Sequence, residues 1–310
     1  MKWFAPYEQE LELAFSEAES ILSTLPEPFS KQACEYLDKF HALKENRSKN
    51  YICYLLPFWL QPHAGIDQKL CRRLTVANLF GMMYYHLIDA CMDEPSMKTT
   101  RQLPLAEFIH MEFIRLYHDC FAGNPSFWTY YRKYATEWAL AVSTEATSDF
   151  YNENPVCMGH KAAMVKLTVA GSMLASNREA EISILENAVD TVLVTLQLVD
   201  DWQDWEKDLA QGVYNSLVSV VRSQRNDPEG HPPTAEQVKE GIMTYDALGK
   251  LVELADCNHE SLGTIKQLAP DLYNFHEDLR GNLTDGAKEV EAKRILLQGG
   301  GLGFWLAKNM

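Results

Sequence analysis

The sequence predicts an all-α protein, a single large helical bundle in which residues 1–310 form one domain. Apolar residues recur at helical spacing along nearly the whole chain. Short alternating runs joined by Asn-Gly or Asp-Gly turns, which indicate β-hairpins, are missing. With 310 residues, 46% of them hydrophobic, the chain can bury a large core.

The predicted helices follow one another with short breaks that carry proline, glycine and asparagine. The longest break, 224–233, is polar and rich in proline. We interpret it as a loop over the mouth of a site, because strong helical periodicity continues on both sides. The helices are expected at 7–24, 28–44, 50–60, 66–94, 104–121, 126–151, 158–175, 178–210, 213–224, 234–256, 259–283 and 286–307, to within a few residues.

Charge and cysteine usage exclude several classes of protein. The formal net charge of −15 argues against a nucleic-acid-binding protein, which would normally be basic. The seven cysteines are scattered without a CxxC pair, which fits free thiols in the cytoplasm rather than a zinc site. No signal peptide and no apolar run of about 18 residues is evident, so we expect no membrane span.

Two acidic clusters, each following an apolar helical run, carry most of the functional information. Residues four apart stack on one helix face, so neighbouring carboxylates repel each other there and lower helix stability. A solvated surface face is the usual alternative, but such a face would mix lysine and arginine among the acids. The first cluster contains Asp89, Asp93 and Glu94, and the second contains Asp200, Asp201, Asp204 and Asp208.

Stacked carboxylates of this kind predict a bound cation. Hard oxygen ligands, with no cysteine or second histidine at ligand spacing, favour Mg²⁺, and Mg²⁺ held by a few carboxylates usually takes phosphate as its other partner. In the second cluster, Asp200 and Asp201 both lie near the predicted face. The sequence leaves open which of them is the first ligand.

The spacing of the two clusters resembles the paired metal motifs of the class I isoprenoid synthase superfamily. This superfamily includes terpene cyclases, chain-elongating prenyl diphosphate synthases and squalene/phytoene-type synthases. Asp89 and Asp93 match the first and last acids of the family's first motif, in which Ala90 here replaces the second aspartate. Asp200, Asp204 and Asp208 match the ligand positions of the second motif of terpene cyclases.

The resemblance implies a trinuclear Mg²⁺ cluster, with Mn²⁺ as an alternative ion, that binds an allylic prenyl diphosphate and promotes its ionisation. Lys161 and Lys166 are expected analogues of a diphosphate-binding lysine element, and Arg280 of a late arginine–tyrosine element. The resemblance also implies a central apolar active-site cavity, and Phe80 and Tyr84, which precede Asp89 on the same predicted helix, are expected to line it.

The expected activity is therefore that of a single-domain, microbial-type terpene synthase that converts a C15 or C20 allylic diphosphate into a cyclic or linear terpene. The alternative is a prenyl-coupling synthase, either chain-elongating or head-to-head. A non-enzymatic helical scaffold is a third interpretation. Because dimers are common among similar enzymes, a homodimer is possible. A di-iron bundle, a serine hydrolase and a nucleotide-binding loop are disfavoured because their motifs are incomplete or absent.

Overall fold

The structure, a computed structural model, describes residues 1–93, 96–225 and 231–298. Over these residues it contains α-helices, short 3-10 helices and no strand, which confirms the all-α prediction. The α-helices are α1 (Glu8–Leu22), α2 (Phe29–Asp38), α3 (Tyr51–Ala64), α4 (Gln68–Asp93), α5 (Met97–Thr100), α6 (Leu103–Phe121), α7 (Pro125–Thr144), α8 (Phe150–Glu153), α9 (Val156–His160), α10 (Leu167–Ala175), α11 (Ile182–Gln211), α12 (Ser216–Arg225), α13 (Ala235–Thr244), α14 (Ala247–Ser261) and α15 (Pro270–Gln298). The 3-10 helices are Ala5–Tyr7, Ala163–Lys166, Glu179–Glu181 and Leu262–Ile265.

The chain divides into two compact units. Helices α1–α6 and α10 belong to unit 1 and helices α8, α9 and α12–α14 to unit 2, while α7, α11 and α15 contribute residues to both. The prediction of a single functional domain stays a prediction. Unit 1 comprises Met1–Thr136, Ala162–Asn187 and Ile265–Leu272; unit 2 comprises Glu137–Lys161, Ala188–Thr264 and the described residues from Tyr273 onward.

Helix α4 is central to unit 1. It packs against α1, α3 and α6, and α3 packs in turn against α10. Ten of the fourteen residues of α3 are buried, as expected for a helix that is apolar around its whole circumference. Gly81 lets α4 approach α6 closely, since a Cβ at that position would lie 2.8 Å from a ring carbon of Phe113.

A buried polar network fixes α4 against its neighbours in unit 1. The Asn78 amide donates to the carbonyl of Cys53 on α3 at 3.0 Å and to Oγ1 of Thr168 on α10 at 2.7 Å. The Tyr117 hydroxyl on α6 donates to the Asn78 carbonyl oxygen at 2.8 Å. Because a buried polar group without a partner is costly, this network specifies how four helices meet.

In unit 2, the apolar face of α11 is buried immediately before the second acidic cluster. Val189, Val192 and Val199 are each at most 5% exposed. Helix α12 packs against α8, α13 and α14, and α13 packs against α14. The buried face therefore anchors α11 and leaves its following turns to present the acidic residues.

Several predicted helix boundaries are wrong. The predicted helix 234–256 is divided between α13 and α14, because Asp246 takes a left-handed conformation (φ 55°) that interrupts the helical backbone. The predicted break near 284–285 is absent. Gly286 lies inside α15, where a Cβ would come 2.9 Å from Nε1 of Trp202, so this glycine serves close packing rather than chain reversal.

Other boundaries also differ from the prediction. The predicted helix 28–44 ends at Asp38, and the predicted helix 158–175 is divided among α9, a 3-10 helix and α10. The short helix α5 was not predicted; Ser96 and Thr99 form its capping box. Residues 226–230 of the expected loop at 224–233, and the part of the last predicted helix beyond residue 298, lie outside the described residues.

Candidate functional site

The second acidic cluster lies on the part of α11 that belongs to unit 2. Asp200 and Asp204 are exposed and Asp208 is half-buried, whereas Asp201 is only 1% exposed. Helical spacing places Asp200, Asp204 and Asp208 one turn apart on one face, and Asp201 is turned away from Asp200 by about 100°. We call the three accessible residues, Asp200, Asp204 and Asp208, the acidic stripe.

The carboxylates of the cluster alter one another's protonation. Although the Asp200 side chain reaches solvent, the protein around its carboxylate displaces much of the bulk water, and this desolvation is the main reason that the pKa of Asp200 is raised to about 7. Repulsion from Asp201 and Asp204 raises the pKa further. Desolvation also raises the pKa of Asp208, and a hydrogen bond from Asn215 opposes that rise. Since Asp200 is accessible to solvent, a cation can reach it and relieve the repulsion.

Asp201 is held by hydrogen bonds inside the protein. Its Oδ1 accepts from Nε2 of Gln197 and its Oδ2 from the backbone N–H of Ser216, each at 2.7 Å. Burial raises the pKa of Asp201, and these hydrogen bonds lower it. Because Ser216 begins α12, the carboxylate also faces the positive end of that helix dipole. Of the two candidates for the first ligand, Asp200 is thus the accessible one.

Lys161 is a cation within electrostatic range of the cluster. It lowers the pKa of Asp200, Asp201 and Asp208. Its Nζ lies 2.7 Å from Oε1 of Glu145, in an ion pair whose side chains are 21% and 13% exposed. The structure therefore brings Lys161 near the acidic stripe, where the resemblance places a diphosphate-binding cation. Its contact with diphosphate stays a prediction.

The first acidic cluster lies at the end of α4, in unit 1. Asp89 is half-buried, Asp93 is exposed, and Glu94 lies outside the described residues. The Tyr36 hydroxyl is 2.7 Å from Nδ1 of His86. The pKa of Tyr36 is raised by burial and further by the negative charge of Asp89.

The two aromatic residues expected to line a cavity occupy different environments on α4. Phe80 is 0% exposed and belongs to the core of unit 1. Tyr84 is half-buried, and its ring stacks on His110 at a centroid distance of 4.2 Å. Of the two, only Tyr84 has accessible surface, and the cavity-lining role of both residues stays a prediction.

Lys166 belongs to a buried charged group in unit 1. Its side chain is fully buried, with Nζ 5.0 Å from the centroid of the Tyr134 ring. The Tyr134 hydroxyl donates to Oε2 of Glu186 at 2.8 Å, and Nζ of Lys133 lies 2.6 Å from Oε1 of the same residue. The ammonium of Lys166 is therefore enclosed by protein and stabilised by an aromatic face. Its contact with diphosphate stays a prediction.

Arg280 and Tyr273 both lie on α15 and contact different residues of α14. Nη1 of Arg280 lies 3.3 Å from Oδ1 of Asp256, in a pair that is 37% and 49% exposed. The Tyr273 ring lies 4.5 Å from the ring of His259. An exposed ion pair contributes little to stability, so Arg280 can exchange Asp256 for another anion at small cost.

The donor chemistry of the acidic stripe fits Mg²⁺. Over the described ranges 1–93, 96–225 and 231–298, no group of three or more His, Cys, Asp or Glu side chains is arranged so that it could hold a metal ion by itself. Magnesium commonly binds one or two carboxylates and takes its other ligands from water and phosphate. Accessible carboxylates on one helix face, such as Asp200 and Asp204, are suited to that mode of binding.

Sequence reasoning missed the residues that hold the cluster in place. Asn215 and Ser216 follow α11 and hydrogen-bond to Asp201 and Asp208, and Gln197 binds Asp201 from one turn earlier. Asn215 also caps α12. The signal was present in the sequence, because an asparagine directly before an apolar helical run is a preferred N-cap.

One segment has the length and composition of a membrane-spanning helix. It covers Glu179–Gln211, and 67% of its most apolar window is buried inside the protein. Core helices pass the same test, so this is only a weak indication of a span. Comparisons with models of known protein families, with curated proteins and with solved structures give no match.

Proposed function

We propose that this protein is a Mg²⁺-dependent class I terpene synthase, which ionises an allylic prenyl diphosphate and releases diphosphate to form a cyclic or linear terpene. The observation that carries the proposal is the acidic stripe. Asp200, Asp204 and Asp208 follow a buried apolar helix face, and the pKa of Asp200 is raised to about 7, mainly by desolvation and further by repulsion from Asp201 and Asp204. A cation bound at the stripe would stabilise the ionised carboxylates and offset their mutual repulsion.

The proposal assigns metal binding to the carboxylates of both clusters and diphosphate binding to Lys161. Asp200, Asp204 and Asp208 in unit 2 are the proposed metal ligands of the second motif, and Asp89 and Asp93 in unit 1 are the proposed ligands of the first. Lys161 contacts the diphosphate. Bound Mg²⁺ supplies charge that stabilises the leaving diphosphate.

The proposed chemistry requires apolar and aromatic residues that exclude water from the reacting atoms. This exclusion is needed because an allylic cation would otherwise be captured by solvent. Aromatic faces stabilise a cation without reacting as strong nucleophiles do. The half-buried Tyr84 is the candidate for this part among the residues singled out in the sequence.

The direct test is product analysis by gas chromatography and mass spectrometry. Purified protein is incubated with Mg²⁺ and, separately, with C10, C15 and C20 allylic diphosphates, with and without isopentenyl diphosphate. A terpene hydrocarbon or alcohol formed from one allylic substrate alone, and lost with EDTA, is the expected result. A longer diphosphate formed only with isopentenyl diphosphate would indicate chain elongation, and a doubled chain would indicate head-to-head coupling.

Asp204→Asn and Glu206→Gln form a matched pair for this assay. Both parent side chains are exposed acids on α11, at 59% and 64%. Two residues apart on a helix, they point to nearly opposite sides. We expect Asp204→Asn to abolish product formation and Glu206→Gln to retain it. Equal activity of the two variants would contradict the metal-binding role of the stripe.

A further inference from the structure

Asn215 connects the acidic stripe to the start of α12. Its side chain is buried, at 3% exposure. The amide Nδ2 donates to Oδ2 of Asp208 at 2.9 Å and to the backbone carbonyl of Asp201 at 2.8 Å. The amide oxygen accepts from the backbone N–H groups of Leu217 at 3.0 Å and Val218 at 3.2 Å. The side chain therefore joins the C-terminal part of α11 to the first turn of α12.

These contacts use the full hydrogen-bonding capacity of an asparagine. The amide has two N–H donors and an oxygen with two lone pairs, and each of the four has a partner. Serine and aspartate can replace asparagine as an N-cap, but neither can also donate two N–H bonds. The demand for asparagine at this position therefore comes from its contacts with α11.

The contact with Asp208 affects the stripe in a specific way. A carboxylate near the end of a helix can adopt several rotamers, and a bond from a buried amide restricts it to one. The second bond, to the Asp201 carbonyl, ties the backbone of the same segment to α12. Both bonds come from one rigid group, so the position of Asp208 relative to the other stripe carboxylates is set by Asn215.

We infer that Asn215 is a positioning residue for the acidic stripe, which fixes the Asp208 carboxylate and the last turns of α11 for binding of Mg²⁺ together with diphosphate. The inference rests on the proposed function. It assigns Asn215 no contact with the reacting atoms. Its loss should weaken metal binding beyond what loss of a helix cap explains.

The test compares three variants. Asn215→Ser keeps the cap acceptor and removes both bonds to α11. Asn215→Asp keeps the size and the cap acceptor, but removes the donors and adds a negative charge beside Asp208. Thr234→Ala is the matched control, because Thr234 caps α13 through a bond from the backbone N–H of Gln237 and lies outside the stripe.

Two measurements are made on each full-length protein. Calorimetric titration with Mg²⁺ in the presence of inorganic diphosphate gives the affinity for the metal. Amide hydrogen exchange without Mg²⁺ reports on the opening of residues 205–211 at the end of α11. We expect both Asn215 variants to bind Mg²⁺ at least tenfold more weakly and to exchange faster over 205–211, with Thr234→Ala within twofold of the parent in both measurements.

The outcomes separate this inference from the proposed function. A parent protein that shows no Mg²⁺ binding with diphosphate contradicts the proposed function, and the exchange data then still decide whether Asn215 holds α11. Normal Mg²⁺ affinity or unchanged exchange in both Asn215 variants overturns the inference. If both fail to fold while Thr234→Ala folds, Asn215 serves stability alone and the inference is also overturned.

Discussion

Substitution of Asp201 should separate structural from functional carboxylates in the second acidic cluster. In Asp201→Ala, two donors lose the carboxylate oxygens that accept their hydrogen bonds at 2.7 Å. These donors are the buried backbone N–H of Ser216 and the side-chain amide of Gln197. Gln197 is only half-buried and can turn to water, so its loss costs little. The main cost comes from the N–H group of Ser216, which begins α12.

A buried donor left without a partner costs about 1–3 kcal/mol. Part of this cost is offset, because burial of the Asp201 carboxylate already lowers the stability of the parent protein, as its raised pKa indicates. We therefore expect Asp201→Ala to lower the free energy of unfolding by about 2 kcal/mol. In contrast, Asp204→Ala removes an exposed carboxylate whose Oδ2 lies 3.9 Å from Nζ of Lys207. We expect a change within about 0.5 kcal/mol.

Urea unfolding followed by tryptophan fluorescence measures both variants on the same helix. Trp202 and Trp205 lie on α11 beside the cluster and report its local environment. A parent-like stability of Asp201→Ala would refute the structural role of its hydrogen bonds. A loss of about 2 kcal/mol in Asp204→Ala would refute the assignment of Asp204 to an unconstrained, accessible position.

Two further predictions concern a buried histidine and Lys161. His276 is fully buried, and burial is the main reason that its pKa is lowered to about 3. Below about pH 6.5, the His276 side chain therefore binds a proton in the unfolded state but not in the folded state. The free energy of unfolding should therefore fall as the pH decreases from about 7 to 5, and this fall should be smaller by about 2 kcal/mol in His276→Gln. Urea unfolding at several pH values measures both proteins, and the same pH dependence in both would contradict the lowered pKa. Lys161→Gln should weaken binding of Mg²⁺ with diphosphate at least tenfold, whereas Lys239→Gln, which breaks an exposed pair with Glu206, should not; similar affinities in calorimetry would remove Lys161 from the site.

The sequence predicted the helical class and the long helices, because their apolar periodicity is local information. It failed where tertiary contacts decide. Gly286 resembles a helix breaker in the sequence but gives Trp202 room within unit 2. Asp246 ends a helical run through a left-handed backbone conformation that helical periodicity does not encode.

The candidate site follows the same pattern. Helical spacing was enough to place Asp200, Asp204 and Asp208 on one face. It could not separate Asp200 from Asp201, because that distinction depends on Ser216, which approaches Asp201 only after the chain turns into α12. The sequence also does not indicate that Lys166 is buried against Tyr134, because this burial comes from packing within unit 1 and not from the sequence neighbours of Lys166.

The release of inorganic diphosphate from C15 and C20 allylic diphosphates tests the central claim most directly. It is measured with Mg²⁺, with EDTA, and for the Asp204→Asn and Glu206→Gln variants. We predict Mg²⁺-dependent release by the parent and by Glu206→Gln, and none by Asp204→Asn. The absence of release by the parent with either substrate, or unchanged release by Asp204→Asn, would contradict the assignment of this protein as a terpene synthase with the acidic stripe as its metal-binding face.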